Sequence, residues 1–348
     1  MSESVSDIVI GALRRLLENE IELTGIVDRP KGSWDSQIWQ KMTELGMTSI
    51  AAEYAEEGFD LAADVLVEIG RSSASVPFLE HDLLAGWVLS QGGIDHADGK
   101  LLTAVPLENN GKLSIRRKGG DWHINGRAER VPYGRVADEV VVVFSLDGYN
   151  WAGRIPSENV RVIEEYNLAD EMRDTLDFDN LVLPGTRVLR LPDNLTAERL
   201  KARGALGRCF QALGAMECAF TMTHEYAGAR IQFGRSLSDF QVIQGYLAEI
   251  AGEIAASRAI CHVALKADSL EEIAAARIRM GGASQIVAER SHQIHGAIGF
   301  TQEYPLHLAT RRLWSWREEF GNEKYWEEYL SSIISEAGPD ALWARIVG

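Results

Sequence analysis

Hydrophobic residues recur at helical spacing in the first part of the chain. Ile8, Leu13, Leu16 and Leu17 lie close to the 3.6-residue period of an amphipathic helix, and later segments repeat this spacing. Glycines and a serine-rich stretch at 72–77 separate these segments, as expected of helix boundaries. The pattern predicts an N-terminal helical domain over residues 1–97.

The pattern changes to strand spacing between residues 98 and 190. Short runs rich in β-branched and aromatic residues, such as EVVVVFSL, alternate with turn residues. Gly119-Gly120, Asn125-Gly126 and Asp147-Gly148 are turn signals, and the last two are typical of tight hairpins. Seven strand candidates in this block predict a small central β-barrel or β-sandwich domain.

Helical spacing returns over residues 191–348. Two helices are predicted over 240–265 and 270–297, and a longer helix precedes them with one apolar face. That face is formed by Leu206, Phe210, Leu213, Met216 and Phe220. Because two helical blocks flank a β block without the alternation of a nucleotide-binding parallel sheet, we predict an α+β multidomain fold with a four-helix-bundle-like C-terminal domain.

The composition narrows the classes of function. The 348-residue chain has 35 Lys and Arg against 51 Asp and Glu, and its net charge of -16 disfavours nucleic acids and anionic membranes as partners. Hydrophobic residues make up 46%, which excludes wholesale disorder. Three cysteines without a CxxC pair, and histidines without a metal-binding pattern, predict a reduced cytoplasmic protein without a metal site.

One segment of the C-terminal block has the features of an anion site. The long helix ends at Arg230, and Phe233 and Gly234 lead to a helix that begins near Phe240 and Gln241. An arginine at such a corner can hold a phosphate through two parallel bonds, and N–H groups at a helix start add anion affinity. A helix C-cap with an arginine on the helix dipole accounts for the same residues.

A second segment is rich in small residues. It begins at Gln293, continues through Gly296, Ala297 and Gly299, and ends at Tyr304-Pro305. Small residues at this density allow a cofactor or another backbone to approach closely. A tight loop between helices is the alternative interpretation.

Together, the two segments resemble motifs of the acyl-CoA dehydrogenase family. The first is similar to the RxxFGxxxxxFQxxQ element, and the second to the QxxGGxGF…YP element with Ala297 in place of the second glycine. Their order and the helix–sheet–helix block order match that family over most of the chain. The resemblance implies a flavoenzyme that binds FAD at a subunit interface, dehydrogenates an acyl-CoA thioester and passes electrons to an electron-transfer flavoprotein.

The resemblance also implies contacts to the cofactor. Arg230 contacts the FAD pyrophosphate, Phe233 packs beside it, and Gln241 contacts the adenosine side. Gln293 and the pair Gly296-Ala297 contact the FAD of a neighbouring subunit. These assignments agree with the phosphate-holding interpretation of Arg230.

Two parts of the family pattern that hold the flavin ring and the thioester are missing. The TExxAGSD-type loop falls near Ala104 to Lys118, where the chain reads AVPLENNGKLSIRRK. The WxTN segment, which touches the flavin ring in the family, is replaced by Arg130-Val131-Pro132-Tyr133. The chain therefore lacks its own ring-facing motifs while it keeps those that reach across an interface.

The family's catalytic carboxylate is also missing from its expected positions. The α-proton of a thioester is weakly acidic, so its removal requires a desolvated and well-aimed base. Counting forward from the YP element places Phe320 where most members carry this glutamate, with Glu319 one residue earlier. Counting back from Arg230 places Gly204 at the alternative position. Glu319 is the catalytic candidate, and we favour the alternative that it and Glu318 are ordinary solvated helix charges.

These features resemble the shorter subunit of actinobacterial heterotetrameric acyl-CoA dehydrogenases, which oxidise steroid side-chain CoA thioesters. In those tetramers a longer homologous subunit supplies the ring contacts and the base, and the shorter subunit completes the shell of the same FAD. We expect this chain to have the second role. Two alternatives stay open: a complete homotetrameric enzyme that uses Glu319 or another acid, and an interaction subunit that binds no flavin.

Overall fold

The N-terminal part of the chain is helical. A computed structural model of the protein describes residues 5–21, 29–53, 55–94, 99–107 and 113–337. Its first helices are α1 (Val5–Glu20), α2 (Ser36–Glu44), α3 (Ile50–Glu53), α4 (Ala55–Ser72), a π-helical segment (Leu79–Gly86) and α5 (Trp87–Gln91). Leu13 and Leu17 are buried, so the apolar spacing predicted for α1 does face the core.

The central part forms two sheets that share one core. The strands are β1 (Leu102–Pro106), β2 (Leu113–Lys118), β3 (Asp121–Pro132), β4 (Glu139–Leu146), β5 (Tyr149–Pro156), β6 (Arg161–Ile163), β7 (Arg173–Asp177), β8 (Leu181–Pro184) and β9 (Val188–Arg190). One sheet has the order β1-β4-β5-β9; the other has β2-β3-β7-β6, with β8 also paired to β3. Trp122 of the second sheet packs on Phe144 of the first, with ring centroids 5.4 Å apart. The two open sheets therefore form a sandwich.

Two of the three predicted turns are confirmed, and one is wrong. Gly119-Gly120 joins β2 to β3, and Asp147-Gly148 joins β4 to β5 with φ values of 53° and 79° that suit a tight hairpin. Asn125-Gly126 lies inside β3, where the carbonyl of Gly126 accepts a 2.8 Å bond from the N–H of Phe178. The first half of β3 pairs with β2 and β8, and the second half pairs with β7, so the strand continues through this point without a turn.

The C-terminal part is a helical bundle around one long helix. Its helices are α6 (Ala197–Ala229), α7 (Gln241–Ala267), α8 (Leu270–His295), α9 (Leu306–Trp316) and α10 (Glu323–Ala337). Helix α6 packs against α4, α7, α8 and α9. The close approach of α4 requires Gly214, because a Cβ there would lie 1.9 Å from the carbonyl oxygen of Val67. The order of helical, sheet and helical parts confirms the predicted α+β multidomain fold. In the described part of the chain, no helix is long and apolar enough to cross a membrane.

Candidate cofactor surface and active-site cavity

The first motif segment forms a corner at the end of α6. Arg230 is the C-cap residue, and its N–H donates to the carbonyl of Tyr226 at 2.9 Å. A short hairpin of β10 (Ile231–Gln232) and β11 (Arg235–Ser236) follows, with Phe233 at its tip. Phe233 has a φ of 53° and is 93% exposed. A bulky side chain this exposed is available for a contact outside the chain.

Three polar side chains of the two segments are unused within the described part of the chain. Arg230, Gln241 and Gln293 are exposed, and no described residue hydrogen-bonds or ion-pairs with their side chains. The backbone of Arg230 does cap α6, so its structural role and a free guanidinium coexist. Gln241 is the first residue of α7, whose N-cap residue Phe240 makes no side-chain cap bond. The first N–H groups of this 27-residue helix are therefore available to an anion.

The two motif segments meet at one end of the bundle. The ring of Tyr226 near the end of α6 stacks on His295 at the end of α8, with centroids 4.5 Å apart, and Tyr304 lies 4.8 Å from His295. Burial lowers the pKa of His295, which favours the neutral ring in this stack. Gly296 follows with a φ of 63° and with open space where a Cβ would lie.

We call six exposed residues at this end of the bundle the cofactor surface. They are Arg230, Phe233, Gln241, Gln293, Gly296 and Ala297. They offer one unpaired cation, two free amides, an exposed ring and a small-residue edge. This set fits the pyrophosphate and adenosine parts of FAD, which need a cation, hydrogen-bond partners and close backbone approach.

The segments assigned by resemblance to the flavin ring and the base border a different site, a cavity of about 310 Å³. Its lining includes Val131-Pro132 of β3 and the loop Glu318–Gly321 after α9. Pro132 offers neither a hydroxyl nor an N–H to a ligand. The next residue, Tyr133, is buried, and its hydroxyl lies 3.2 Å from Ser75 Oγ, on the N-terminal helical part. The replaced motif therefore provides no donor at these two positions.

Both positions at which the family carries its base are used for packing. A Cβ on Gly204 would lie 2.5 Å from ring carbons of Phe320, so the ring occupies the space above this glycine of α6. Phe320 itself has a left-handed φ of 55°. The two positions deduced independently from the sequence thus contact each other, and neither carries a carboxylate.

Glu319 is buried rather than solvated. Its two carboxylate oxygens accept bonds of 2.7 Å from Arg173 Nε and from Arg208 Nε. Burial alone would raise the pKa of Glu319, but the charges and hydrogen bonds of the two arginines lower that pKa to about 2. A carboxylate held in this way is a poor proton acceptor. Its neighbour Glu318 is exposed and accepts a 3.2 Å bond from Asn322.

Glu319 belongs to a buried set of charges that we call the arginine–glutamate cluster. Its members are Glu80, Glu171, Arg173, Arg208, Arg312 and Glu319. The cluster joins the π-helical segment, the central sandwich and the C-terminal bundle. None of its members is more than 7% exposed. Sequence reasoning missed it; the available signal was Arg208 within the otherwise apolar and small-residue stretch of α6.

Arg277 holds the loop after α9 through its backbone. This buried arginine of α8 donates to backbone carbonyls at the end of α9 and in the loop that carries Glu319 and Phe320. The acceptors are Trp316, Arg317, Glu319 and Gly321. The loop is therefore held both through its backbone and through the Glu319 side chain.

Comparison with known proteins agrees with the family resemblance. Residues 196–326 match the family described as acyl-CoA dehydrogenase, C-terminal domain. The chain is 26% identical over 319 residues to acyl-CoA dehydrogenase FadE27 of Mycobacterium tuberculosis, and this covers 81% of the chain and 83% of the relative. The predicted resemblance and the predicted class, an oxidoreductase acting on acyl-CoA, are confirmed.

Solved structures show the same fold. The structure of the ChsE4-ChsE5 complex from Mycobacterium tuberculosis contains a chain that matches with a TM-score of 0.88 at 21% identity, covering 97% of this chain and 99% of that one. The Tcur3481-Tcur3483 steroid ACAD variant matches with a TM-score of 0.84 at 20% identity, covering 95% and 98%.

Proposed function

We propose that the protein is one subunit of a heteromeric, FAD-dependent acyl-CoA dehydrogenase, because residues 196–326 match the acyl-CoA dehydrogenase C-terminal domain and the chain has the fold of the solved structures compared above. In this proposal the chain completes an FAD site that it shares with a longer homologous subunit. The single observation that carries it is the contrast between an open cofactor surface and base positions filled by Gly204 and Phe320.

The chemistry explains why a partner is needed. Dehydrogenation removes a proton from the α-carbon and a hydride from the β-carbon, and FAD, when held by the cofactor surface, would supply the hydride acceptor. Something must accept the proton. The described carboxylates that line the cavity are Glu129, Glu318 and Glu319. Glu129 and Glu318 are exposed, and the buried Glu319 is ion-paired with two arginines, so none is the desolvated and unpaired base that this step requires. We propose that the partner subunit supplies the base.

The role of this chain is to bind and orient. Arg230 would hold the pyrophosphate with the free N–H groups at the start of α7, while Phe233 covers the cofactor. Gln293 and the Gly296-Ala297 edge would contact the same FAD from the other segment. All of these groups face outward, as a site shared between chains demands.

The exposed face of α7 supports assembly with other subunits. It carries glycine and alanine at helical spacing and no charge over four turns. The residues are Gly245, Ala248, Gly252, Ala255 and Ala259. A partner helix can approach such a face closely. Gly252→Arg should block assembly, whereas Gly11→Arg on α1, where a Cβ also meets open space, should not.

The experiment that tests the proposal is purification of the chain alone and together with a longer homologue that has the missing motifs. We expect a colourless lone chain and a yellow complex in which two chains share one FAD and acyl-CoA reduces it. A yellow lone chain that oxidises acyl-CoA would establish the homotetrameric alternative. A colourless complex would establish the interaction subunit.

We further propose steroid side-chain CoA thioesters as substrates of the complex, an electron-transfer flavoprotein as its acceptor and the cytoplasm as its location. The steroid ACAD structure is the support for this substrate class. The test compares kcat/KM for a steroid side-chain CoA ester with that for a straight-chain acyl-CoA of equal side-chain length. A preference for the straight chain would contradict the steroid assignment and leave the shared FAD site untouched.

A further inference from the structure

The active-site cavity has a defined shape although neither base position of the family carries a carboxylate. It lies between β1, β3 and the loop after α9, at a boundary between the sandwich and the C-terminal bundle. Its volume of about 310 Å³ is within the range of small-molecule sites, which occur preferentially at such boundaries. Val105, Leu107, Val131 and Phe320 contribute an apolar lining. The cavity can therefore enclose a compact apolar group.

The described lining of the cavity carries charges of both signs. The cations are Arg127, Arg130 and Lys201, and the carboxylates are Glu129, Glu318 and Glu319. Arg127 pairs with Asp177 at 3.1 Å, and Lys201 Nζ lies 3.7 Å from the ring centroid of Tyr325.

Arg130 differs from the other two cations. Within the described part of the chain, no hydrogen bond, ion pair or ring contact engages its side chain. It is the one rim cation whose bonding capacity the described residues leave unused.

The backbone of Arg130 is also unusual. Register between β3 and β7 shifts from Ala128 to Val131, and Arg130 within this bulge has a φ of 61°. A non-glycine residue pays for a left-handed conformation, and glycine would avoid that cost. Bulges next to binding sites redirect a side chain. This bulge brings Arg130 to the cavity rim.

We propose that this cavity binds a small amphipathic oxyanion, a carboxylate or phosphate monoester on a compact apolar body, with Arg130 as its anchor. A guanidinium matches either headgroup through two parallel bonds. Among the described charges of the lining, Arg127 is paired with Asp177 and Glu319 with two arginines, whereas Arg130 keeps an unpaired guanidinium, which suits one oxyanion headgroup. The inference goes beyond the shared FAD site, because its ligand is neither FAD nor acyl-CoA.

The test measures binding to the full chain without FAD, by calorimetry or ligand-observed NMR. The probes are octanoate, octyl phosphate and uncharged octan-1-ol. We expect saturable binding of at least one anion and affinity at least about tenfold lower for the alcohol. The stronger of the two anions identifies the headgroup. Equal binding of the alcohol, or no anion binding up to about 10 mM, the weakest affinity expected of so small a ligand, would overturn the proposal.

Variants of Arg130 test whether its side chain anchors the anion. Arg130→Gly should lower anion affinity by about tenfold or more while raising the melting temperature, since glycine relieves the left-handed backbone. Arg130→Asn, which also tolerates this conformation, keeps the test valid if the glycine variant misfolds. Arg127→Gln, the matched control, should change affinity far less. Unchanged affinity in both Arg130 variants, or displacement of the anion by FAD, would refute the proposal, and neither result bears on flavin content of the heteromeric complex.

Discussion

The cofactor surface and the arginine–glutamate cluster use similar side chains in opposite ways. Arg230 and Gln293 are exposed and bond to no described side chain, whereas Arg208 and Glu319 are buried and bonded at almost every polar atom. Polar groups with unused capacity are suited to bind something outside the chain. Groups with none left stabilise the fold and are unavailable to a substrate. Under the proposed function, the comparison explains how one chain could contact the cofactor while its described residues offer no suitable base.

The largest predicted effect is on stability, from Glu319→Gln. Removing one member of a buried ion pair costs about 3–5 kcal/mol, because the arginines keep their desolvation cost. We expect the free energy of unfolding to fall by about 3 kcal/mol, while turnover per folded heteromeric complex is retained. Urea unfolding and steady-state kinetics measure the two quantities. Glu318→Gln, on the exposed neighbour, should change both very little.

The low pKa of Glu319 predicts that the stability of the chain depends on pH. The pKa of Glu319 is about 2 in the folded chain against an ordinary 4.5, so its stabilisation is complete above pH 4.5 and is lost as pH falls toward 2. The stability gap between wild type and Glu319→Gln should therefore close over this interval. A gap that stays constant down to pH 3 would mean that the carboxylate is not held by the arginines.

Arg230→Ala tests the cofactor surface. Loss of a charged hydrogen-bond partner costs about 1.5–3 kcal/mol, so FAD should dissociate from the complex about 10- to 150-fold more readily. Flavin released on dilution measures this. The control is Arg279→Ala, because Arg279 on α8 already pairs with Glu253 at 2.5 Å. Equal flavin retention in both variants would remove Arg230 from the FAD site.

Gly204→Ala tests whether the former base positions are closed by packing. The added methyl would lie 2.5 Å from the Phe320 ring, and overpacking of this kind costs about 1–3 kcal/mol. Gly11→Ala, in a helix with open space at that point, should be neutral or stabilising by up to about 1 kcal/mol. Phe320→Ala in the same chain should rescue Gly204→Ala. Independent, additive effects would show that the two residues do not pack together.

Local patterns predicted the fold better than they predicted the site. The strand EVVVVFSL and the hairpin Asp147-Gly148 follow from alternation and turn chemistry within a few residues. The prediction of a turn at Asn125-Gly126 was wrong, because pairing with distant strands decides whether this pair forms a turn or continues a strand.

The cluster could not be predicted for a similar reason. Arg208 and Glu319 are separated by 111 residues, and nothing near either residue indicates the other. Counting from the motifs did find Gly204 and Phe320, but their contact depends on how α6 and the loop after α9 pack. The roles of the six cofactor-surface residues stay predictions that flavin measurements will decide.

The smallest predicted effect is that of Gln293→Ala, and it completes the comparison. An amide loses a neutral hydrogen bond worth about 0.5–1.5 kcal/mol, so flavin should dissociate about 2- to 12-fold more readily. Gln285→Ala, on the same helix, should leave flavin retention unchanged, since the amide of Gln285 bonds to Glu289 within the chain at 2.8 Å. Because Gln293 is exposed, its substitution should leave the unfolding free energy of the lone chain unchanged and act only when FAD is bound between subunits. A loss of stability in the lone chain, with flavin retention intact, would place Gln293 with the structural residues and confine the cofactor surface to the first motif segment.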